Sequence, residues 1–439
     1  MRIAPILLAV GLVACSSSDF TIAPPQGSDT GTGTADVATD SGAGVDAGGD
    51  AVADALDAVV LDGGGSCGEP VKPATTTVYV DAAAAAGGNG SAACPFRTLA
   101  EAAGTPNGAG PRTVLIHAGT YPEVVPIKVR SAEVYRADGS GAVKVVGKGT
   151  TPCAASSGDS CTFQLDANSK LDGLTIEGGS VANGVVASGG TAAPQPSLVN
   201  TTVRSMLKDG VVVLGVGAKF GPNTHIDGNA YSGVMVRNGR VDVTGIGNTF
   251  DGNKGGTYIG ATYVSGSGIH VLKGASLFVD GGATANNNHT GVFFDAGGAG
   301  GVQTLSQLTA TGNRSMGVFI AKGWQVTLRK CTLNKNTLYG LSVSYDSTTL
   351  LDIGGADMGN NVFGLASAKN GKAGLFLCRS PKTGSQQANG CSFGSCPPTQ
   401  AAVANCDAVP AAYVDVAYSP DITGGESVDP LALPSPCGS

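Results

Sequence analysis

Short apolar–x–apolar triplets recur along this chain at nearly constant spacing. Each follows a glycine, and an asparagine stands four residues before that glycine. The unit runs from Asn229 through Gly233-Val-Met-Val, from Asn287 through Gly291-Val-Phe-Phe and from Asn313 through Gly317-Val-Phe-Ile. It recurs from Asn336 through Gly340-Leu-Ser-Val and from Asn360 through Gly364-Leu-Ala-Ser, and partial copies begin at Gly184 and Gly210. Most glycine steps are 23 to 26 residues, while the step from Gly233 to Gly268 is 35 and predicts an insertion around residues 255–266. A second β-prone stretch precedes each asparagine, as in Arg240-Val-Asp-Val-Thr, Ala275-Ser-Leu-Phe-Val, Gln325-Val-Thr-Leu and Thr349-Leu-Leu-Asp-Ile. Apolar residues alternate instead of recurring at three and four, so the pattern predicts strands. Two or three short strands per period, joined by Gly/Asn corners, describe one rung of a parallel β-helix. Glycine suits corners with positive φ, and asparagines at one phase of successive rungs predict a stacked ladder. Eight rungs at about 4.8 Å each give about 38 Å of solenoid.

In each triplet the flanking apolar residues should point inward and the middle one outward. The middle residues are Val186, Val212, Met235, His270, Phe293, Phe319, Ser342 and Ala366. Met235, His270, Phe293 and Phe319 therefore predict an outward apolar and aromatic stripe, a candidate binding face for a glycan or a partner protein. Trp324 is a candidate surface platform beside it, or a shield for an edge. The competing expectation is that the 255–266 insertion or the C-terminal segment folds over the stripe and buries it.

The N-terminal part reads Val78-Tyr-Val-Asp81, a Gly/Asn loop, Cys94-Pro-Phe-Arg-Thr-Leu-Ala-Glu-Ala-Ala103 and Arg112-Thr-Val-Leu-Ile-His-Ala-Gly-Thr-Tyr121. A first strand and a short amphipathic helix there would cover the open end of a solenoid. The first rung follows at Val114–Ile116, and Leu171–Gly179 reads as another early rung. This order resembles the cap and first turn of right-handed parallel β-helix proteins of the pectin-lyase-like superfamily, especially an uncharacterised lipoprotein branch. The likeness covers about residues 76–378. It implies an all-β fold, a single-stranded right-handed parallel β-helix with a short N-terminal capping helix. Residues 379–439 do not fit the repeat and read as a Cys-rich, disulfide-stapled C-terminal cap and tail.

The leader changes the picture of where this solenoid works. Arg2 precedes an apolar run from Ile3 to Ala14, too short to span a bilayer, which reads as a signal peptide over residues 1–14. Leu12-Val-Ala-Cys15 followed by Ser16 resembles the lipobox of bacterial lipoproteins, which implies lipidation of Cys15 and a bacterial outer-membrane address, facing periplasm or exterior. Residues 16–66 hold nine Asp and no Lys, Arg or Glu, and read together with Cys15 as a disordered tether over 15–66. From residue 67 onward the balance is 25 basic against 24 acidic residues, so the formal net charge of −7 belongs to the tether. No nucleic-acid partner is implied by so neutral a body, and no nucleotide-binding loop is found among the 69 glycines. Beyond Cys15 ten cysteines remain, an even number that in an exported chain favours disulfides; Cys153 and Cys161 enclose a short loop and are expected to pair.

Candidate catalytic chemistry is thin. Pectin-lyase-like hydrolases resemble one another in Asn-Thr-Asp, Asp-Asp, Gly-His-Gly and Arg-Ile-Lys motifs, none of which occurs here. One carboxylate pair stands out: Asp227 and Asp251, each in an Asp-Gly-Asn triplet, lie one rung apart. Their closeness could suit a retaining glycosidase or a calcium ion, or they are simply turn residues repeated because the turn repeats. No other cofactor and no transition-metal site is expected. His117, on the first rung, reads as an edge residue. The leading expectation is a non-enzymatic surface lipoprotein that displays a rigid solenoid as a binding or structural module, with carbohydrate as the candidate ligand. The alternative is a polysaccharide lyase or glycoside hydrolase with a non-standard site.

Overall fold

The computed structural model describes Cys67, residues 76–420 and residues 431–432, apart from 107–109, 154–157, 189–193, 216, 256, 260–261, 265, 299–300, 347, 355–357, 366, 381–385, 389–390, 394, 396–397 and 407. Cys15, the 16–66 segment, Ala366, Cys396 and Cys437 lie outside the described residues.

Among the described residues, three parallel sheets take up nearly all strands. In each turn the chain passes through sheet 1, then sheet 2, then sheet 3, as in Ser197–Val199, Thr202–Arg204 and Val211–Val213. Sheet 1 has eleven strands, sheet 3 twelve and sheet 2 five. Sheet 2 then continues as single parallel bridges from His225 through Thr249, Thr284, Thr309, Thr332 and Val362 to Ser392. Every rung is thus hydrogen-bonded to the rung before and after, and the molecule is a parallel β-helix. Alternation does the sorting: the strands Thr290–Phe294 and Met316–Ile320 each leave one half-buried residue, Phe293 and Phe319, while their neighbours are buried. The interior is a continuous column of Val, Ile, Leu and Phe, such as Val292, Phe294, Val318 and Ile320. Each such side chain taken from water contributes roughly 1.5–3 kcal/mol.

The asparagine ladder is present, with two changes of member. Asn229, Asn253, Asn288, Asn313, Asn336 and Asn370 are buried, and each backbone N–H from Asn229 to Asn336 donates to the side-chain oxygen of the next at 2.8–3.1 Å. Asn288 serves where the repeat pointed to Asn287, whose φ of 56° puts it in the turn. Asn370 serves where it pointed to Asn360. The residues 360–364 in fact continue sheet 2, with Val362 paired to Thr332, and the next rung of sheet 3 after Gly340 is Ala373–Ser380. The Asn-x3-Gly spacing thus recurred by chance on the wrong side of a corner.

The repeat glycines also have a different reason from the one expected. Gly233 and Gly317 do not have positive φ. A Cβ on Gly317 would lie 2.6 Å from the Gly340 carbonyl oxygen and 2.9 Å from the Asn336 amide nitrogen; at Gly233 it would lie 2.6 Å from the Gly268 oxygen. Close approach of rungs beside the asparagine ladder demands glycine there.

The N-terminal end is closed as the sequence predicts. Strand Thr77–Val80 pairs in parallel with Arg112–Ile116. Helix Leu99–Gly104 carries a capping box, Thr98 with Glu101, and buries Leu99 and Ala102. Arg112 and Arg130 donate to the carbonyls of Ala102 and Ala103 at 3.1 and 2.8 Å, and Arg112 pairs with buried Glu133 at 2.9 Å. The long glycine step holds an antiparallel hairpin, Thr257–Ile259 with Thr262–Val264. At the other end parallel stacking runs past residue 378, since Val414–Pro420 adds to sheet 3 beside Ala373–Ser380. Disulfides join Cys67 to Cys94, Cys153 to Cys161 and Cys378 to Cys406; among the described residues Cys331 and Cys391 are free.

Candidate binding face

The outward column on sheet 3 forms in the predicted register. Val212 pairs with Met235, Met235 with His270, His270 with Phe293, Phe293 with Phe319, and Phe319 with Ser342. Phe376, from the strand Ala373–Ser380, stands at the next position, where the sequence pointed to Ala366. The rings make a continuous run: His270 meets Phe293 edge-on at 4.8 Å, and Phe293 stacks on Phe319 at 5.0 Å with 22° between planes.

Both ends of this column are covered. Val186 and Val212 are buried with the Cys153–Cys161 disulfide in one cluster, against which Met235 packs in part. Phe376 and Tyr339 are buried beside Cys378 in another, against which Phe319 packs. Met235, Phe293 and Phe319 remain half-buried, whereas His270 is 7% exposed. The C-terminal segment thus covers one end of the stripe, the Cys153–Cys161 segment, which was not expected to, covers the other, and the two stacked phenylalanines between them stay half-buried.

A second column runs beside the first. Ser267, Thr290, Met316 and Tyr339 pair rung by rung, and Tyr339 stacks on Phe376 at 4.6 Å, so both columns share the outer face. Upstream, Ser232 N–H donates to Asp209 at 2.9 Å and Asp209 N–H donates to Asn183 at 3.3 Å. Burial pushes the Asp209 carboxyl up to about 6, against the opposing pull of the Ser232 N–H and the charge of His270.

Beyond the stripe, Asp295 follows directly on the strand Thr290–Phe294. Its Oδ2 lies 3.8 Å from His270 Nε2, and the His270 side chain beside it holds the carboxylate below its ordinary range. A cleft of about 560 Å³ opens next to it, lined by Ala296, Gly297, Gly298, Lys322, Gly323, Asp346 and Thr348. Three successive corners supply those residues, and the sequence reading named none of them. Asp295 carries no repeat signal, because the adjacent rungs have Leu272 and Ala321 there.

Trp324 is not a surface platform. It is 0% exposed, packs on Phe294 at 5.1 Å, and donates its indole N–H to the Asp295 carbonyl. Its ring fills the interior just before the sheet 1 strand Gln325–Arg329. Asp227 and Asp251 are stacked as predicted, but their oxygens are occupied by the next rung. Thr249 Oγ and the Asp251 N–H donate to Asp227 at 2.8–2.9 Å. Thr284 Oγ and the Asn286 N–H donate to Asp251 at 2.7–3.1 Å, and Thr311 continues the series onto Asn286. Burial raises the Asp251 carboxyl, with the Asp227 charge adding to it. This is a corner ladder, the turn reading of the pair. Among the described residues no group of three or more His, Cys, Asp and Glu is placed to hold a metal ion. His117 pairs with Asp138 at 2.6 Å at the edge of the first rung.

Residues 183–363 match the family model for a right handed beta helix region. No curated protein sequence matches the chain. Among solved structures, the Dettilon tailspike protein is 12% identical, with 70% of this chain and 62% of that one covered at a TM-score of 0.44. The Geobacillus virus E2 protein ORF18 is 12% identical, with 65% and 50% covered at a TM-score of 0.28. The chain spans less than two thirds of either.

Proposed function

Because the chain is a right-handed parallel β-helix with a half-buried aromatic strip on sheet 3, we propose that it is a binding module. Its ligand is a glycan laid across Phe293 and Phe319. The observation that carries this is the stacked, half-buried pair between two disulfide-stapled covers. Rings stacked on each other and held rigid by a sheet form an apolar strip against which sugar rings lie at little entropic cost, and the cleft beyond Asp295 offers polar partners for hydroxyls. Cell-surface display through lipidated Cys15, on the tether of residues 16–66, belongs to the same proposal and places the solenoid at a membrane without spanning it.

A glycan array probed with the full chain in detergent tests this, with Phe293→Ala and Phe319→Ala beside it. Each variant should bind about tenfold more weakly, or ~1.4 kcal/mol, with an unchanged circular dichroism spectrum. Unchanged binding in both variants sinks the reading. A second reading, glycan cleavage, draws on Asp209 raised and Asp295 lowered around one histidine. Asp209 is only 4% exposed, which keeps it away from a bound chain and favours binding over cleavage. Release of new reducing ends from a bound polysaccharide would reverse that preference.

A further inference from the structure

We infer that Asp295 is the specificity-determining residue of this face, and that the glycan it selects is a neutral one whose hydroxyls donate to the carboxylate. This rests on the binding reading above.

Position comes first. Asp295 stands at the end of the strand that carries Phe293, at the mouth of the cleft lined by Ala296 and Gly297, and its side chain is 48% exposed. A ring stacked on Phe293 would bring its rim hydroxyls towards this carboxylate before any other charged group of the strand.

The carboxylate is also held in place. Asp295 N–H donates to the Val271 carbonyl at 2.9 Å, and its own carbonyl accepts the buried Trp324 indole. Oδ1 accepts the Ala296 N–H at 2.7 Å, while Oδ2 faces His270. Each oxygen keeps a lone pair for solvent or ligand, since a carboxylate has about four acceptor sites. An anchor fixed on both sides before the ligand arrives loses little freedom on binding.

Charge then selects the ligand. The aromatic column from Met235 to Ser342 carries no Lys or Arg. Lys322 and Asp346 both line the cleft, and the Lys273 side chain lies against Gly297. Arg237, the nearest cation of the sheet 3 strand ends upstream, lies two rungs away in the field of Asp209. Two carboxylates, Asp295 and Asp346, and two ammonium groups, Lys273 and Lys322, thus stand about the cleft, and a uronate polymer gains no net charge match there. A polycationic amino sugar gains none either, because each carboxylate has a lysine beside the same cleft. A neutral chain meets an acceptor and an apolar face, and needs no such match.

The test measures binding of the full chain to galactomannan, dextran and laminarin as neutral probes, to polygalacturonate as the acidic probe and to chitosan oligomers as the cationic one. The wild type should bind a neutral probe in preference. Asp295→Ala should weaken that binding at least about tenfold. Asp295→Asn, which keeps the shape and one acceptor, should lose less and gain binding to polygalacturonate. That change in preference is not expected from a merely structural role, and the isosteric variant serves if the alanine variant fails to fold. Preference of the wild type for polygalacturonate or chitosan overturns the inference. So does neutral binding that Phe293→Ala abolishes and both Asp295 variants leave intact, while the binding reading then stands. Binding to no polysaccharide overturns both.

Discussion

Replacing Asn313 with alanine removes one link from the middle of the buried ladder. Asn313 is 0% exposed. Its oxygen accepts the Asn288 N–H at 2.9 Å, and its Nδ2 donates to Asn336 Oδ1 at 2.9 Å. The substitution orphans a buried backbone donor, which costs about 1–3 kcal/mol, and loses a further side-chain bond worth about 0.5–1.5 kcal/mol. Asn336 Oδ1 retains the Asn313 N–H at 3.0 Å, so the damage stops at one rung on that side. The sum is about 2–4 kcal/mol. Urea denaturation of wild type, Asn313→Ala and the outward-facing control Thr327→Ala reads it, and the control should stay within about 0.5 kcal/mol. Hydrogen exchange localises it: the Asn288 amide should lose protection, while amides near the N-terminal helix keep theirs, because solenoid rungs couple mainly to their neighbours. A loss below about 0.5 kcal/mol for Asn313→Ala, with the Asn288 amide still protected, would refute the claim that the ladder stabilises the corners.

The other predictions concern the glycine column, the tryptophan and the buried acid. Gly317→Ala should destabilise by more than about 2 kcal/mol, because the new Cβ lands 2.6 Å from a backbone oxygen that cannot turn aside; a thermal midpoint equal to wild type would contradict this. Trp324, the sole tryptophan, should show blue-shifted emission that iodide does not quench, and quenchable emission would mean that it is exposed. Asp209 binds its proton more tightly folded than unfolded, so its contribution is fully present below about pH 4 and is lost as pH rises to about 6. Asp209→Asn should flatten that limb of the pH–stability curve and be more stable than wild type at pH 7, by up to about 3 kcal/mol; an unchanged difference between pH 4 and pH 7 would refute it.

The repeat made much of this legible. Alternation around Gly291 and Gly317 gave the inward and outward residues, and the register of Met235, His270, Phe293 and Phe319 followed from counting. The short N-terminal helix, and the pairing of Cys153 with Cys161, were also local enough to read. What failed did so where one spacing fits two places. The Asn360–Gly364 copy belongs to sheet 2, and Asn370 takes the ladder position. Trp324 was read from its neighbours in the chain, yet its environment comes from Phe294 and Asp295 one rung away.

Sequence by itself determined the period, the strand faces and the existence of stacked rungs, because these depend on alternation and spacing within some 25 residues. Only the tertiary structure decided which outward residues stay open to solvent. That depends on what the Cys153–Cys161 loop and the Cys378–Cys406 segment lie against, and neither follows from the repeat. It also decided that Asp227 and Asp251 bind the next rung, while Asp295, with no carboxylate on either adjacent rung, meets His270 and the cleft. A repeat fixes geometry one rung at a time, but a site is made by the corners and covers that break it.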